Sequence, residues 1–221
     1  MNRTIAIIPA RGDSKRLPGK NIMSLNGVPL IAHSILYAKA NPEIISEIYV
    51  STDDAQIKEI AIGFEAKVID RPEYLSGDLE ATVSALKHAL ENIRSVENII
   101  LLQPTNPLRP KNLLKEAFKI YKEENCDSLF TVTRNHQKFG KIINQKFVPF
   151  TYEIGQRSQD LEPLYLENGL LYISKASLIM NNEIISANAF PYEINHIFSQ
   201  VDIDTLDDFE YAKFLLDKFS Q

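Results

Sequence analysis

An α/β fold built from parallel βαβ units is the class this sequence predicts, and three observations predict it. Short apolar, β-branched runs alternate with helix-length segments from Thr4 to Val132, the pattern of strands joined by crossover helices. The first of these runs, Ile5 to Ile8, empties directly into the basic, glycine-bearing loop Pro9-Ala10-Arg11-Gly12-Asp13-Ser14-Lys15-Arg16-Leu17-Pro18-Gly19-Lys20-Asn21. A loop of that kind at the carboxyl edge of a parallel sheet is where phosphorylated ligands settle, because backbone N–H groups and cations converge there. Proline and glycine punctuate the helical segments where helices begin and end.

The elements follow in order. Strands are predicted at Thr4–Pro9, Glu47–Ser51, Ala66–Ile69, Asn98–Leu102 and Ser128–Val132, each short and rich in Ile, Val, Leu or Tyr. Helices are predicted between them at Pro29–Ala40, Asp54–Gly63, Glu80–Arg94 and Pro110–Glu124. Pro29 and Pro110 suit a first turn, where a missing N–H costs nothing, and Gly63 suits a helix end. After Val132 the rhythm changes. Lys141–Phe150 reads as a short hairpin or a pair of extended pieces, and Thr151–Glu162 as a polar loop, so residues 141–162 form an insertion within a single domain spanning 1–221. Strands resume at Leu170–Ile173 and Ser199–Ile203. The last helix, Leu206–Phe219, opens on a capping box formed by Thr205 and Asp208.

Composition bounds the function. The chain has 221 residues, enough for one α/β domain with a full core. A net charge of −5 argues against general nucleic-acid binding, so the cations near Arg11 are a local concentration. The single Cys126 excludes an intrachain disulfide and any multi-cysteine metal site, which fits a reducing cytoplasm. No apolar stretch approaches the ~18 residues needed to span a bilayer, and no membrane partner is expected.

The opening loop matches neither a Walker P-loop nor the dinucleotide fingerprint. What it offers is Arg11, Ser14, Lys15, Arg16, Lys20 and Asn21 around two glycines. A triphosphate carries about four negative charges, and arginine meets its oxygens in a fork. The alternative is a solvated basic loop. Later, Asp202 and Asp204 are two residues apart at the end of the predicted strand Ser199–Ile203; strand geometry there would point both carboxylates to one face while Ile203 packs inward. Paired carboxylates beside a triphosphate suit Mg²⁺, although aspartates also collect at helix entrances.

These segments together resemble the acylneuraminate (nonulosonic acid) branch of the sugar-activating cytidylyltransferases. The resemblance rests on the opening loop, Ser51-Thr52-Asp53-Asp54, Arg71-Pro72, Leu102 to Arg109, Arg157-Ser158-Gln159-Asp160-Leu161, Glu167-Asn168-Gly169 and Asp202-Ile203-Asp204, in order along nearly the whole chain. It implies a Rossmann-like nucleotidyltransferase fold with a mixed, mostly parallel sheet. It also implies a reaction in which CTP and a nonulosonic acid give a CMP-sugar and pyrophosphate with Mg²⁺ assistance.

Residue by residue, the resemblance implies that Arg11, Ser14, Lys15, Lys20 and Asn21 contact the nucleotide and its triphosphate, and that Arg71 and Thr82 hold the cytidine or its ribose. Gln103, Lys141, Arg157, Gln159 and Asn168 fall to the sugar acid, with Arg157 first and Lys141 second as partners of its carboxylate. Asn168-Gly169 also reads as a plain turn opening a strand. Lys20, Arg11, Asp202 and Asp204 form the catalytic set, and Asp202 and Asp204 the Mg²⁺ ligands. The 141–162 insertion resembles a dimerisation element, so a homodimer is expected. Two departures stand out: Asp13 replaces a glycine, and Leu166-Glu167 replaces an arginine that often precedes Asn-Gly. The alternatives are activation of the eight-carbon acid KDO, and a non-catalytic nucleotide-binding domain of the same fold.

Overall fold

Ile5, Ala6, Ile7 and Ile8 are all fully buried, which puts the first strand in the middle of a sheet with both faces covered. In the computed structural model, which describes residues 3–77 and 79–219, the elements run β1 (Thr4–Pro9), β2 (Ser24–Leu25), β3 (Val28–Pro29), α1 (Leu30–Lys39), β4 (Glu47–Thr52), α2 (Ala55–Gly63), β5 (Lys67–Asp70), α3 (Thr82–Glu91), β6 (Asn98–Leu101), α4 (Leu113–Glu123), β7 (Ser128–Asn135), β8 (Gly140–Ile143), β9 (Lys146–Pro149), β10 (Leu164–Lys175), α5 (Ala176–Met180), β11 (Ala189–Glu193) and α6 (Leu206–Phe219). Seven of the strands form one sheet in the order β11-β7-β10-β6-β1-β4-β5. β10 runs antiparallel to both its neighbours, whereas the other pairings are parallel. The sheet is therefore mixed and mostly parallel, as expected.

Alternate residues of β1 feed opposite cores. Ala6 and Ile8 pack with α1, α2 and α4 through Ile31, Ile57 and Leu114, while Ile5 and Ile7 pack with α3 and α5 through Leu86 and Ile179. A third cluster joins Leu25, Leu108, Val201 and Ile203 to Phe209, Ala212 and Leu215 of α6, with Leu17 and Met23 packed against it. The opening loop and the C-terminal helix thus share one small core.

The predicted strand Ser199–Ile203 is absent. A 3₁₀ turn covers Ile197–Gln200 and irregular backbone follows. Its alternation predicted burial correctly, since Val201 and Ile203 are buried, but no ladder receives it. The Ile203 amide donates to the Thr105 carbonyl at 2.8 Å, and the Val201 carbonyl accepts from Asn106 Nδ2 at 2.8 Å. The turn after β6 holds this segment from the side.

Edge strand β11 escapes the sequence reading because Pro191 interrupts its pattern. α4 begins at Leu113, whose amide donates to the Pro110 carbonyl at 3.1 Å, so Pro110 precedes the helix by a turn. Gly63 is the last helical residue of α2, and the left-handed position beyond falls to Glu65 at φ 62°. The capping box holds, with Thr205 N–H on Asp208 Oδ2 at 2.8 Å and Asp208 N–H on Thr205 Oγ1 at 3.3 Å. The 141–150 hairpin forms as β8 and β9, turning through Asn144 and Gln145 at positive φ. No described helix is long and apolar enough to cross a membrane.

One contact ties this architecture to the site. β10 shifts register between Glu167 and Tyr172, and Gly169 takes up the irregularity at φ 73°. A Cβ on Gly169 would sit 2.7 Å from Asn106 Oδ1, while Asn106 Nδ2 bonds the carbonyls of Asn168 and Val201. Gly169→Ala is expected to destabilise by more than about 1 kcal/mol, through strain and displacement of Asn106. Asn106→Leu should cost about 1–3 kcal/mol for each carbonyl left without a partner. Urea unfolding midpoints measure both, and a Gly169→Ala protein as stable as the parent would remove the contact's importance.

Candidate active site

Pro9 carries the chain out of β1, and the opening loop is then folded back by a few local bonds. Gly12 N–H donates to Asp53 Oδ1 at 3.1 Å, and a Cβ on Gly12 would lie 2.8 Å from Asp54 Cβ, so only glycine permits this approach. Asp54 caps α2 by accepting from the Ile57 amide at 2.8 Å. Gly19 turns the loop at φ 67°. Asn21, buried, donates from Nδ2 to the Arg11 carbonyl at 2.9 Å, so it shapes the loop as well as facing the space it encloses.

That space is a cavity of about 280 Å³ lined by Arg11, Ser14, Lys20, Asn21, Arg71 and Thr82, with Gln103 and Asp204 closing it. It gathers every sequence-predicted nucleotide contact except Lys15, which lines an adjoining recess of about 340 Å³ with Arg11, Ser14, Arg16, Lys20 and Asp204. Thr82 opens α3, so the positive end of that helix dipole meets the first cavity. Arg71 is buried and donates to Ser51 through Nε at 3.2 Å and Nη2 at 2.5 Å. Burial draws its pKa down, against the nearby charge of Asp53. Asp13 is exposed and lines none of these spaces.

Lys20 joins the loop to the C-terminal segment. Its Nζ donates to the Ile203 carbonyl at 2.7 Å and Asp204 Oδ1 at 3.0 Å, and Arg16 meets Asp204 Oδ2 at 2.7 Å. Asp202 faces the other way, into a second cavity of about 640 Å³. The two carboxylates therefore straddle a wall instead of sharing a strand face. Asp202 still feels Asp204: burial raises the Asp202 pKa most, the Thr105 hydroxyl bonded to it opposes, and the charge of Asp204 raises it further.

Gln103 lines both cavities and a third of about 350 Å³ that reaches Val83, Leu101 and Ile184. Its position is secured by Arg109, a fully buried cation whose Nη2 donates to the Gln103 carbonyl at 2.9 Å, Nε to the Leu170 carbonyl at 2.6 Å and Nη1 to Ser34 Oγ at 3.0 Å. Desolvation lowers the Arg109 pKa to about 10, which leaves it charged at neutral pH.

The sugar-side residues divide. Gln103 and Asn168 reach the second cavity, but the Asn168 side chain is engaged internally: Oδ1 accepts from Thr131 Oγ1 at 2.5 Å and Leu170 N at 3.1 Å, and Nδ2 donates to Thr133 Oγ1 at 2.9 Å. Asn168 and Gly169 do not open a strand as a turn: they lie inside β10, at its register irregularity. Lys141, Arg157 and Gln159 line none of the three cavities within the chain. Arg157 forms an exposed fork with Asp160 at 2.7 and 3.0 Å, and Lys141 Nζ lies 4.7 Å from the centre of the Phe150 ring.

Sequence reasoning missed Tyr172, Glu167 and Arg134 as cavity residues. The Tyr172 hydroxyl donates to Glu167 Oε1 and is pushed up in pKa by burial and that carboxylate, with Gln103 as a counteracting partner. Arg134 lies beyond the predicted end of β7 at Val132, near the carboxyl end of the strand as it forms. Among the described residues, no cluster of three or more His, Cys, Asp or Glu side chains suits a metal ion.

An α/β sheet with a cation-lined cavity, a second polar cavity and carboxylates between them is an arrangement suited to nucleotidyl transfer. The chain belongs to the cytidylyltransferase family, whose model matches residues 5–220. It is 33% identical to a pseudaminic acid cytidylyltransferase of Campylobacter jejuni, covering 96% of each chain, and 32% identical to a CMP-N,N'-diacetyllegionaminic acid synthase of Legionella pneumophila, covering 97% of each. An N-acylneuraminate cytidylyltransferase of Streptococcus agalactiae is 33% identical over 94% of this chain, which spans 52% of that longer relative. The fold is also that of a CMP:2-keto-3-deoxy-manno-octonic acid synthetase solved with CTP, at a TM-score of 0.76, 17% identity and 98% and 99% coverage.

A raised carboxylate pKa sets a sign for stability. The folded chain holds the Asp202 proton to higher pH than the unfolded chain, so stability falls as pH rises from the ordinary aspartate range through the folded-state value. In chelator-treated protein, Asp202→Asn should flatten that decline and leave the variant at least as stable as the parent above the window. Thermal unfolding from pH 3.5 to 7 measures it; an unchanged decline in the variant would assign it to other groups.

Proposed function

We propose that this enzyme transfers CMP from CTP to the anomeric 2-hydroxyl of a nonulosonic acid. The hydroxyl oxygen bonds to the α-phosphorus, the α–β phosphoanhydride breaks, and pyrophosphate leaves with the bridging oxygen. The observation that carries this reading is Gln103, at the junction of a cation-lined cavity and a larger polar one, with Asp204 facing the first and Asp202 the second. Two substrates held in those spaces meet at the wall between them. The relatives that match along 96–97% of their own length are named for nonulosonic acids, which favours this class over KDO.

Arg11, Lys15 and Lys20 neutralise charge on the triphosphate and on departing pyrophosphate, the electrostatic stabilisation on which phosphoryl-type transfer depends. Arg71 and Thr82 hold the nucleoside end. Asp202 and Asp204 offer hard oxygen donors on one short segment, and Mg²⁺ takes one or two carboxylates together with phosphate oxygens and water. Asp204 from the first cavity and Asp202 from the second would hold such an ion, which would supply positive charge at the phosphates.

The single domain acts as a cytoplasmic homodimer in this reading. Its support is the β8–β9 hairpin, which stands clear of the main sheet and exposes Ile142 by 81% and Phe147 by 55%. Lys141, Arg157 and Gln159 belong to this region and complete the neighbouring protomer's sugar site. The oligomer is expected by light scattering at working concentration; a monomer there would remove it.

The decisive assay follows CTP-dependent pyrophosphate release across a panel of nonulosonic acids and KDO. Turnover is expected with at least one nonulosonic acid and not with KDO alone. Lys20→Ala is expected to lose about 10²–10³-fold in kcat, with folding checked by circular dichroism. Near-normal pyrophosphate release from Lys20→Ala would sink the assignment.

A further inference from the structure

The second cavity holds a cation with unmet hydrogen-bonding capacity. Arg134 lies near the end of β7, opposite Tyr165 of β10, and lines the 640 Å³ space with Gln103, Glu167 and Asp202. Its Nε is buried and has no hydrogen-bond partner. Native structures satisfy nearly all such donors, because an unpaired one forfeits about 1–3 kcal/mol. Nε itself is shielded, so pairing with a ligand is open only to the rest of this cavity-lining side chain.

The charge balance says which kind. Glu167 and Asp202 face this cavity, so an anionic substrate entering it meets repulsion that a cation must offset. Arg134 is the arginine of that lining, which contains no lysine. Within the chain, Arg157 is engaged by Asp160 outside the space and Lys141 rests on Phe150. Glu167 already accepts from Tyr172. The planar guanidinium suits a planar carboxylate, which accepts two parallel N–H bonds.

We infer that Arg134 is the cation that anchors the carboxylate of the acid substrate in the second cavity. The inference rests on the nonulosonic acid reading above. In such an acid the carboxylate is borne by the same carbon as the reacting hydroxyl, so anchoring one sets where the other points relative to Asp202. Arg134 is thereby a binding and positioning residue that also discriminates acids from their neutral analogues. Its position on a sheet strand fixes that anchor more firmly than a loop would.

The test uses the full chain, the nonulosonic acid that the parent protein turns over, and the C1 carboxamide of that acid. Arg134→Gln should raise KM for the acid about 10–100-fold, the value of a charge-assisted pair, and leave KM for CTP within about twofold. Arg134→Lys should recover part of the loss. The carboxamide should react poorly and equally with parent and Arg134→Gln, because the carboxylate that Arg134 recognises is gone. An acid KM within about threefold of the parent, or equal losses for acid and carboxamide, would overturn the anchor while leaving the cytidylyltransferase reading intact. A parent protein that turns over no acid of the panel overturns the reading, and the anchor with it.

Discussion

Lys20 is where the two ends of this chain are tied together. A buried ammonium needs partners, and this one has the Ile203 carbonyl and the Asp204 carboxylate, both from the segment before α6. Asp208 in turn accepts from the amides of Asp204 and Thr205, so the segment is locked to the start of α6. That helix buries Phe209, Ala212 and Leu215 against Leu17 and Met23 of the opening region. The opening loop is thus held by a closed circuit, polar through Lys20 and apolar through Leu17. Without that circuit, a run of cations around two glycines has little reason to stay in one conformation.

A second buried cation positions the other half of the site. Arg109 spends its guanidinium on carbonyls and a hydroxyl from three parts of the chain, and its ring neighbour is Tyr37, 5.6 Å from the guanidinium carbon. It has no carboxylate partner among its described bonds, so its role is to satisfy backbone that leaves the sheet at β6 and re-enters at β10. Gln103 is consequently presented from fixed backbone, with Tyr172 beside it. Supports of this kind hold a site's side chains in place before a ligand arrives.

Much of this was legible in the sequence. The parallel βαβ core follows from alternation and apolar runs, and Arg11, Ser14, Lys20, Asn21, Arg71 and Thr82 line one cavity. What stayed hidden depended on tertiary contacts. The segment from Val201 to Asp204 alternates like a strand, yet Asn106 and Thr105 hold it from the side. Alternation reports which residues face inward, and it says nothing of which backbone bonds to which. β11 was masked by Pro191. Arg134 lay just past the predicted end of β7, where a single charged residue on a strand carries no pattern. The Asn168 amide bonds Thr131, Thr133 and Leu170, contacts between strands that the sequence does not show to be neighbours.

In the proposed reaction both substrates are held at once, on either side of the wall formed by Gln103, Asp202 and Asp204, so that CMP passes directly from one to the other. The stereochemical course at phosphorus tests this most directly. With a single diastereomer of CTP carrying sulfur on the α-phosphorus, direct displacement inverts the configuration, and ³¹P NMR of the CMP-sugar product should show inversion. Retention would require two displacements through a CMP-bound enzyme, and would contradict direct transfer between the two cavities.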